Sequence, residues 1–243
     1  MNILKKFIPA SLKLFFRTNQ RRYIDRSSGN YKIFAKEFSA TPDFHPAVMI
    51  EQIIKSNALS VNKIHNLSLA IAKLNNIIIQ PGYIFSFWQL AGNPTQKNGY
   101  QKSRSIINGD VEATIGGGLC QLSGLIYFLA IQAGLTITER HAHSVDIYKE
   151  EERFTPLGSD ATVAYGYKDL RFINQYQFPV IISFHLSENV LTGKILSEEK
   201  MNTGKIEFEY RKFLKHIEVD TICSNNGQIS IISTDSYKTL KQL

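Results

Sequence analysis

Cysteine is scarce in this chain. Its 243 residues hold only two, Cys120 and Cys223. That is too few for a disulfide scaffold, and nothing in the sequence requires the two to pair. Long apolar runs are missing as well: no stretch approaches the roughly 18 to 20 uninterrupted apolar residues of a transmembrane helix. There is no internal repeat and no low-complexity tract. Most of the chain also lacks surplus positive charge. The formal net charge is +7, yet residues 1–38 alone hold nine basic side chains against two acidic ones, so the rest is formally neutral. The high isoelectric point therefore does not describe a nucleic-acid footprint spread over the fold. The absences point to a reducing, cytoplasmic context. Hydrophobic content of 43% and charged content of 20% are those of an ordinary globular protein.

The basic arm, residues 1–40, begins "MNILKKFIPASLKLFFRTNQRRY". Lys13 interrupts its apolar run and no small-residue cleavage site follows, which argues against a signal peptide. An amphipathic segment on an anionic membrane surface fits better, with Leu4, Phe7, Ile8, Leu12, Phe15 and Phe16 on the apolar side, placing residues 1–26 at the inner face of the membrane. Packing on the protein's own core is the alternative. The turn cluster "TPDFHP" (41–46) separates the arm from a body expected to run over 41–243 as a single domain.

Within the body, Val61, Ile64, Leu67, Ile71 and Leu74 recur at helical spacing, so a helix is expected over 57–77 with Asn57 as its N-cap. The clearest helix is 119–133, with Leu119, Leu122, Leu125, Ile126, Leu129, Ala130 and Ala133 on a broad stripe and Gly134 at the stop. The period then changes to two. "TERHAHSVDIY", "DATVAYGY", "DLRFINQ", "FPVIISFHL", "NVLTGKILS" and "KIEFEYRKF" read as strands. The predicted fold is α+β, with N-terminal helices followed by a mostly antiparallel sheet.

One of the scarce cysteines stands at a chemically favourable place. "GGGLCQ" puts Cys120 in the first turn of the 119–133 helix, where free backbone N–H groups and the helix dipole favour a thiolate. Gly116, Gly117 and Gly118 remove side chains from the approach, and the free N–H groups could hold an oxyanion. The Lys and Ser/Thr of a P-loop are absent. Strand alternation places His141, His143, Val145 and Ile147 on one inward face, so an imidazole can meet the sulfur. Asp160, opening the next expected strand, can orient that imidazole. The order Cys, His, Asp along helix, strand, strand is similar to a transglutaminase- or papain-like core. Two other readings stay open: Cys120 as a packed hydrophobe, or a zinc site from Cys120, His141 and His143, with Asp160 beside it.

"PGYIFSF", "NGYQKSRSIINGD", "GGGLCQLSGLIYFLAIQAGL", "ERHAHS", "PLGSDATVAYGYKDLRFIN" and "FPVIISF" resemble, in order and spacing, the VanW family, named for an accessory protein of B-type vancomycin-resistance clusters. The resemblance spans about residues 81–184 and fits a short form of the family. It implies that the family's cysteine is Cys120 with Gln121, its HS histidine His143 and its DAT aspartate Asp160; no cofactor is expected. The function expected is a cysteine-dependent amide or peptide hydrolase or acyl transferase acting on a cell-wall peptide or precursor, with Gly116, Gly117, Gly118, Gln121, His141 and Trp88 at the substrate. The alternative is a peptidoglycan- or peptide-binding accessory protein without turnover.

Overall fold

The computed structural model describes residues 8–39, 44–54, 60–107, 110–146, 153, 155–225 and 227–239. The helices are α1 (Ala10–Ser27), α2 (Ser60–Leu74), α3 (Phe87–Ala91) and α4 (Leu119–Gln132). Helix α4 is the pivot of the fold. Its buried residues run continuously from Leu122 to Tyr127, so it is apolar almost all round and lies inside the protein rather than on it. Gly134, in the left-handed region, stops it as expected.

Helix α4 packs on a five-stranded antiparallel sheet of β1 (Glu37–Phe38), β3 (Ile77–Ile79), β10 (Val180–Ser187), β11 (Val190–Ser197) and β2 (His45–Ile53), in that spatial order. A Cβ on Gly193 of β11 would stand 2.7 Å from Leu129 Cδ1; the missing side chain lets the helix settle onto the strands. A three-stranded antiparallel sheet, β4 (Ile84–Ser86), β9 (Arg171–Ile173) and β7 (Thr136–Glu139), borders this core, and β5 (Lys102–Ile107) with β6 (Asp110–Ile115) forms a hairpin leading into α4. The C-terminal sheet is β12 (Lys205–Lys212), β13 (His216–Asn225), β14 (Gln228–Thr239) and β8 (Val145–Asp146), with β8 parallel to β14. It carries a small separate core of Leu157, Val219 and Tyr237.

The class is α+β with mostly antiparallel sheets, as the sequence leads one to expect, but the order of elements differs. Six strands precede α4. His45 and Pro46, read as part of a turn, open β2; this strand pairs only with β11, and an edge position tolerates proline's missing N–H. Helix α2 ends at Leu74, not Ile77: Asn76 takes a positive φ of 57° and turns the chain, and the β-branched run Ile77–Ile79 becomes strand β3. Within α2, Val61 is exposed while Leu67, Ile71 and Leu74 are buried. "TERHAHSVDIY" breaks into β7 and β8 with no strand over 140–144, and "DATVAYGY" contains no strand beyond an isolated bridge between Ala164 and Lys168. Asn57, Ile147, Leu4 and Phe7 lie outside the described residues. Among the described residues no helix is long and apolar enough to cross a membrane.

Candidate active site

The glycine turn is built for close packing. Gly116 and Gly118 have φ of 78° and 100°, values that an L side chain rarely adopts. Gly117 is limited by space instead: a Cβ there would lie 2.2 Å from the Ser103 carbonyl oxygen of β5. The buried Asn66 of α2 clamps this turn, donating to the carbonyls of Gln101 at 2.9 Å and Gly117 at 3.0 Å and accepting from the Gln101 amide at 2.8 Å. A Cβ on Gly118 would meet Lys63 Cγ at 2.7 Å, and one on Gly116 would meet Pro94 Cβ at 2.9 Å. The room freed by the three missing side chains is therefore filled by the protein itself.

Around the start of α4, the Leu119 amide bonds the Gly116 carbonyl at 3.4 Å and the Gln121 amide bonds the Gly118 carbonyl at 3.0 Å. Among the described residues no backbone carbonyl takes the Cys120 amide, so the N–H of the candidate nucleophile remains a donor. Burial, helped by Arg104, lowers the Lys63 pKa to about 8 beside this turn.

Cys120, His143 and Asp160 come together. Cys120 is half-buried, and its thiol donates weakly to the Val163 carbonyl at 3.7 Å. Asp160 Oδ2 accepts from both the backbone N–H of His143 (2.7 Å) and its ring Nδ1 (2.6 Å). With Nδ1 engaged, Nε2 is the ring nitrogen left over, and Cys120 is near enough to act on the imidazole's pKa. Burial alone would push the imidazole pKa down, but the hydrogen bonds and charges of Asp160 and Cys120 outweigh it and raise it to about 10. Burial would likewise raise the carboxyl, yet His143 and Arg140 together hold the Asp160 pKa at about 2. The pair is thus imidazolium and carboxylate at neutral pH.

The segment carrying Asp160 reaches α4 without strand pairing. Ser123 Oγ donates to the Ala161 carbonyl at 2.6 Å, and the Thr162 amide bonds the His141 carbonyl at 2.7 Å. The chain also passes close to α4 at Gly124, where a Cβ would be in ordinary contact, 3.6 Å from Asp160 Cα. Small residues on α4 thus replace the cross-strand register that the sequence suggested.

Sequence reasoning missed the groups behind Asp160. Tyr237 Oη of β14 donates to Asp160 Oδ1 at 2.5 Å. Arg140 reaches the same oxygen at 3.3 Å, also bonds the carboxylate of Asp235, and lies 4.7 Å above the Tyr127 ring. Burial and the adjacent Asp160 push the Tyr237 phenol well up, so it stays a donor. Arg140 stands in the quoted "ERHAHS", where its charge was the available signal. Tyr237 and Asp235 lie some 75 residues beyond Asp160 in a region with no motif.

Other expected residues sit apart from the sulfur. His141 turns to Glu139, with Nε2 at 3.1 Å from Oε1, because the break after β7 removes the alternation that would have put it beside His143. Among the described residues no group of three or more His, Cys, Asp or Glu is placed to hold a metal ion, and the donor set proposed for zinc is not assembled. Trp88 donates its indole N–H to the Lys168 carbonyl at 2.8 Å and packs edge-on against Tyr165, bracing the turn after Val163. Gln121 is unusual: both polar atoms of its amide are buried without a partner among the described residues. Cavities beside α1 and beside Cys223 are not lined by Cys120, so the sulfur sits at a half-buried position rather than in either.

The family model described as "VanW like protein" matches residues 62–196. An uncharacterized protein, YoaR, of Bacillus subtilis is 35% identical over 126 residues, covering 52% of this chain and 40% of that protein. The vancomycin B-type resistance protein VanW of Enterococcus faecalis is 31% identical over 153 residues, covering 60% of this chain and 56% of its own length. The chain thus spans about half the length of the relatives it matches. No solved structure matches it. Cys120, His143 and Asp160 all fall inside the matched region, whereas Tyr237 and Asp235 fall outside it; on that match the chain belongs to the VanW family.

Proposed function

We propose that this protein is a cysteine-dependent acyl-transfer enzyme acting on an amide or ester of a cell-wall peptide precursor. The observation that carries the reading is the His143–Asp160 pair beside Cys120: a buried imidazole locked through Nδ1, protonated at neutral pH, next to a sulfur. In the reactive form the thiol proton already resides on His143 Nε2, making the imidazolium, and the thiolate of Cys120 attacks the substrate carbonyl carbon. The oxyanion that forms is met by the unclaimed Cys120 N–H. As the C–N or C–O bond breaks, the imidazolium returns its proton to the leaving group, and a thioester remains on Cys120. Water or an acceptor amine then attacks that thioester, giving hydrolysis or transfer. A transglutaminase-type arrangement is part of this proposal; the helix-borne cysteine and the later His and Asp support it.

The substrate class rests on a relative's name, which refers to vancomycin resistance; a precursor on the cytoplasmic side is our choice within it. The test is intact-mass analysis of protein incubated with a soluble muramyl-pentapeptide precursor. A covalent adduct mapped to Cys120, absent in Cys120→Ala and greatly reduced in His143→Ala, is expected. Binding of the peptide with no adduct at any time, and no loss of binding in Cys120→Ala, would replace this reading with that of a binding module.

A further inference from the structure

Helix α1 meets the rest of the protein with its polar stripe. Leu14, Thr18, Arg21 and Asp25 follow one another at steps of about one helical turn and form the docked face. Leu14 and Thr18 close over Gly166, whose Cβ would lie 2.7 Å from Leu14 Cδ1. Arg21 makes a two-pronged contact with Glu139 at 3.0 and 2.5 Å. Asp25, buried, does the same with Arg171 at 2.6 and 2.9 Å. The apolar residues are left outside: Leu12 is 43% exposed, Phe15 59%, Phe16 60% and Tyr23 72%. A helix that docks through ion pairs and turns its aromatics outward has reversed the usual arrangement.

The charge around this apolar face has one dominant sign. Arg17, Arg22, Arg26, Lys32 and Lys36 are exposed, and the helix's own acid, Asp25, is consumed by Arg171; Glu37, on β1, is the exposed acid of the segment. Arg22, Arg26 and Lys36, with Tyr31, line a cavity of about 360 Å³ beside α1. Aromatic side chains projecting between guanidinium and ammonium groups match a surface whose phosphates lie level with its acyl boundary.

We propose that the outer face of α1 docks the protein on an anionic lipid bilayer, with Leu12, Phe15, Phe16 and Tyr23 entering the interface and Arg22, Arg26 and Lys36 meeting lipid phosphates. This holds independently of the chemistry at Cys120. It also sets the site's position, because Gly166, covered by α1, lies on the turn that follows Val163, the acceptor of the Cys120 thiol. A docked α1 holds that turn near the bilayer, where a membrane-linked substrate would be presented.

The experiment is co-sedimentation of the full chain with vesicles of pure phosphatidylcholine and of phosphatidylcholine with phosphatidylglycerol. Binding to the mixed vesicles is expected to exceed binding to the neutral ones by at least about tenfold and to weaken with added salt. Phe15→Ser with Phe16→Ser should cut it about tenfold or more, and Arg22→Glu with Arg26→Glu should abolish the preference for anionic lipid. These four side chains are exposed and make none of the Arg21–Glu139 or Asp25–Arg171 contacts, so unchanged circular dichroism and melting are expected. Equal binding to both vesicles, no binding, or a double Phe variant that binds as the wild type does would overturn the proposal. Loss of self-association in that variant without vesicle binding would do the same, reassigning the face to a contact between copies.

Discussion

Replacing Asp160 by Asn removes a carboxylate while keeping its volume. In the native protein that group receives His143 twice, Tyr237 and Arg140. Its pKa falls from 3.8 to about 2, which amounts to about 2 kcal/mol of folding free energy. The His143 shift is larger, from 6.5 to about 10, because it also contains the sulfur; the Asp160 shift isolates what Asn removes and so sets the magnitude. The sign follows from each group. A depressed carboxyl stabilises above pH 3.8 and loses its contribution as pH falls through about 2. A raised imidazole stabilises fully below pH 6.5 and loses its contribution as pH rises through about 10. The gap between wild type and Asp160→Asn is therefore widest between those limits. Urea unfolding at pH 5.5 should show a loss of about 2 kcal/mol, narrowing at pH 10, and histidine NMR should show the His143 midpoint falling by about two units or more. A loss under about 0.5 kcal/mol, or an unmoved His143 titration, would refute the coupling.

Three further outcomes follow from the same geometry. Gly117→Ala should cost about 3 kcal/mol or more, measured by denaturant unfolding, because the new Cβ meets backbone atoms of Ser103 that cannot swing away. Gln121→Leu should raise stability by about 1 kcal/mol, since it removes a buried amide with both atoms unpartnered among the described residues; a clear loss of stability would mean that the amide has a partner. Tyr237→Phe should not lower the His143 midpoint, because Asp160 stays ionised with Arg140 still at Oδ1; a fall as large as that of Asp160→Asn would make the phenol, not the carboxylate, the controlling group.

Much of the site was legible because its parts are local. A glycine run before an apolar periodic segment forces a turn and a helix start, and Cys120 falls at that start whatever surrounds it. The strands after Arg171 announce themselves by alternation and β-branched residues. What escaped was tertiary. Asp160 reaches His143 through an extended segment tied to α4 by Ser123, a contact that no strand pattern encodes. Strand β2 was hidden by Pro46 at its edge position, and β13 and β14 went unremarked although β14 supplies Tyr237. The packing around the three glycines is equally tertiary. The residue type says that a side chain is absent, but only the fold says what occupies the space.

The most direct test of whether this sulfur and imidazole act as one unit is the rate of Cys120 alkylation by iodoacetamide against pH, in protein whose Cys223 is replaced by Ser. The wild type should be alkylated at neutral pH markedly faster than His143→Ala, because the imidazole takes the thiol proton. Superimposable profiles for the two proteins, or a native thiol that does not react at any pH below 9, would contradict the account.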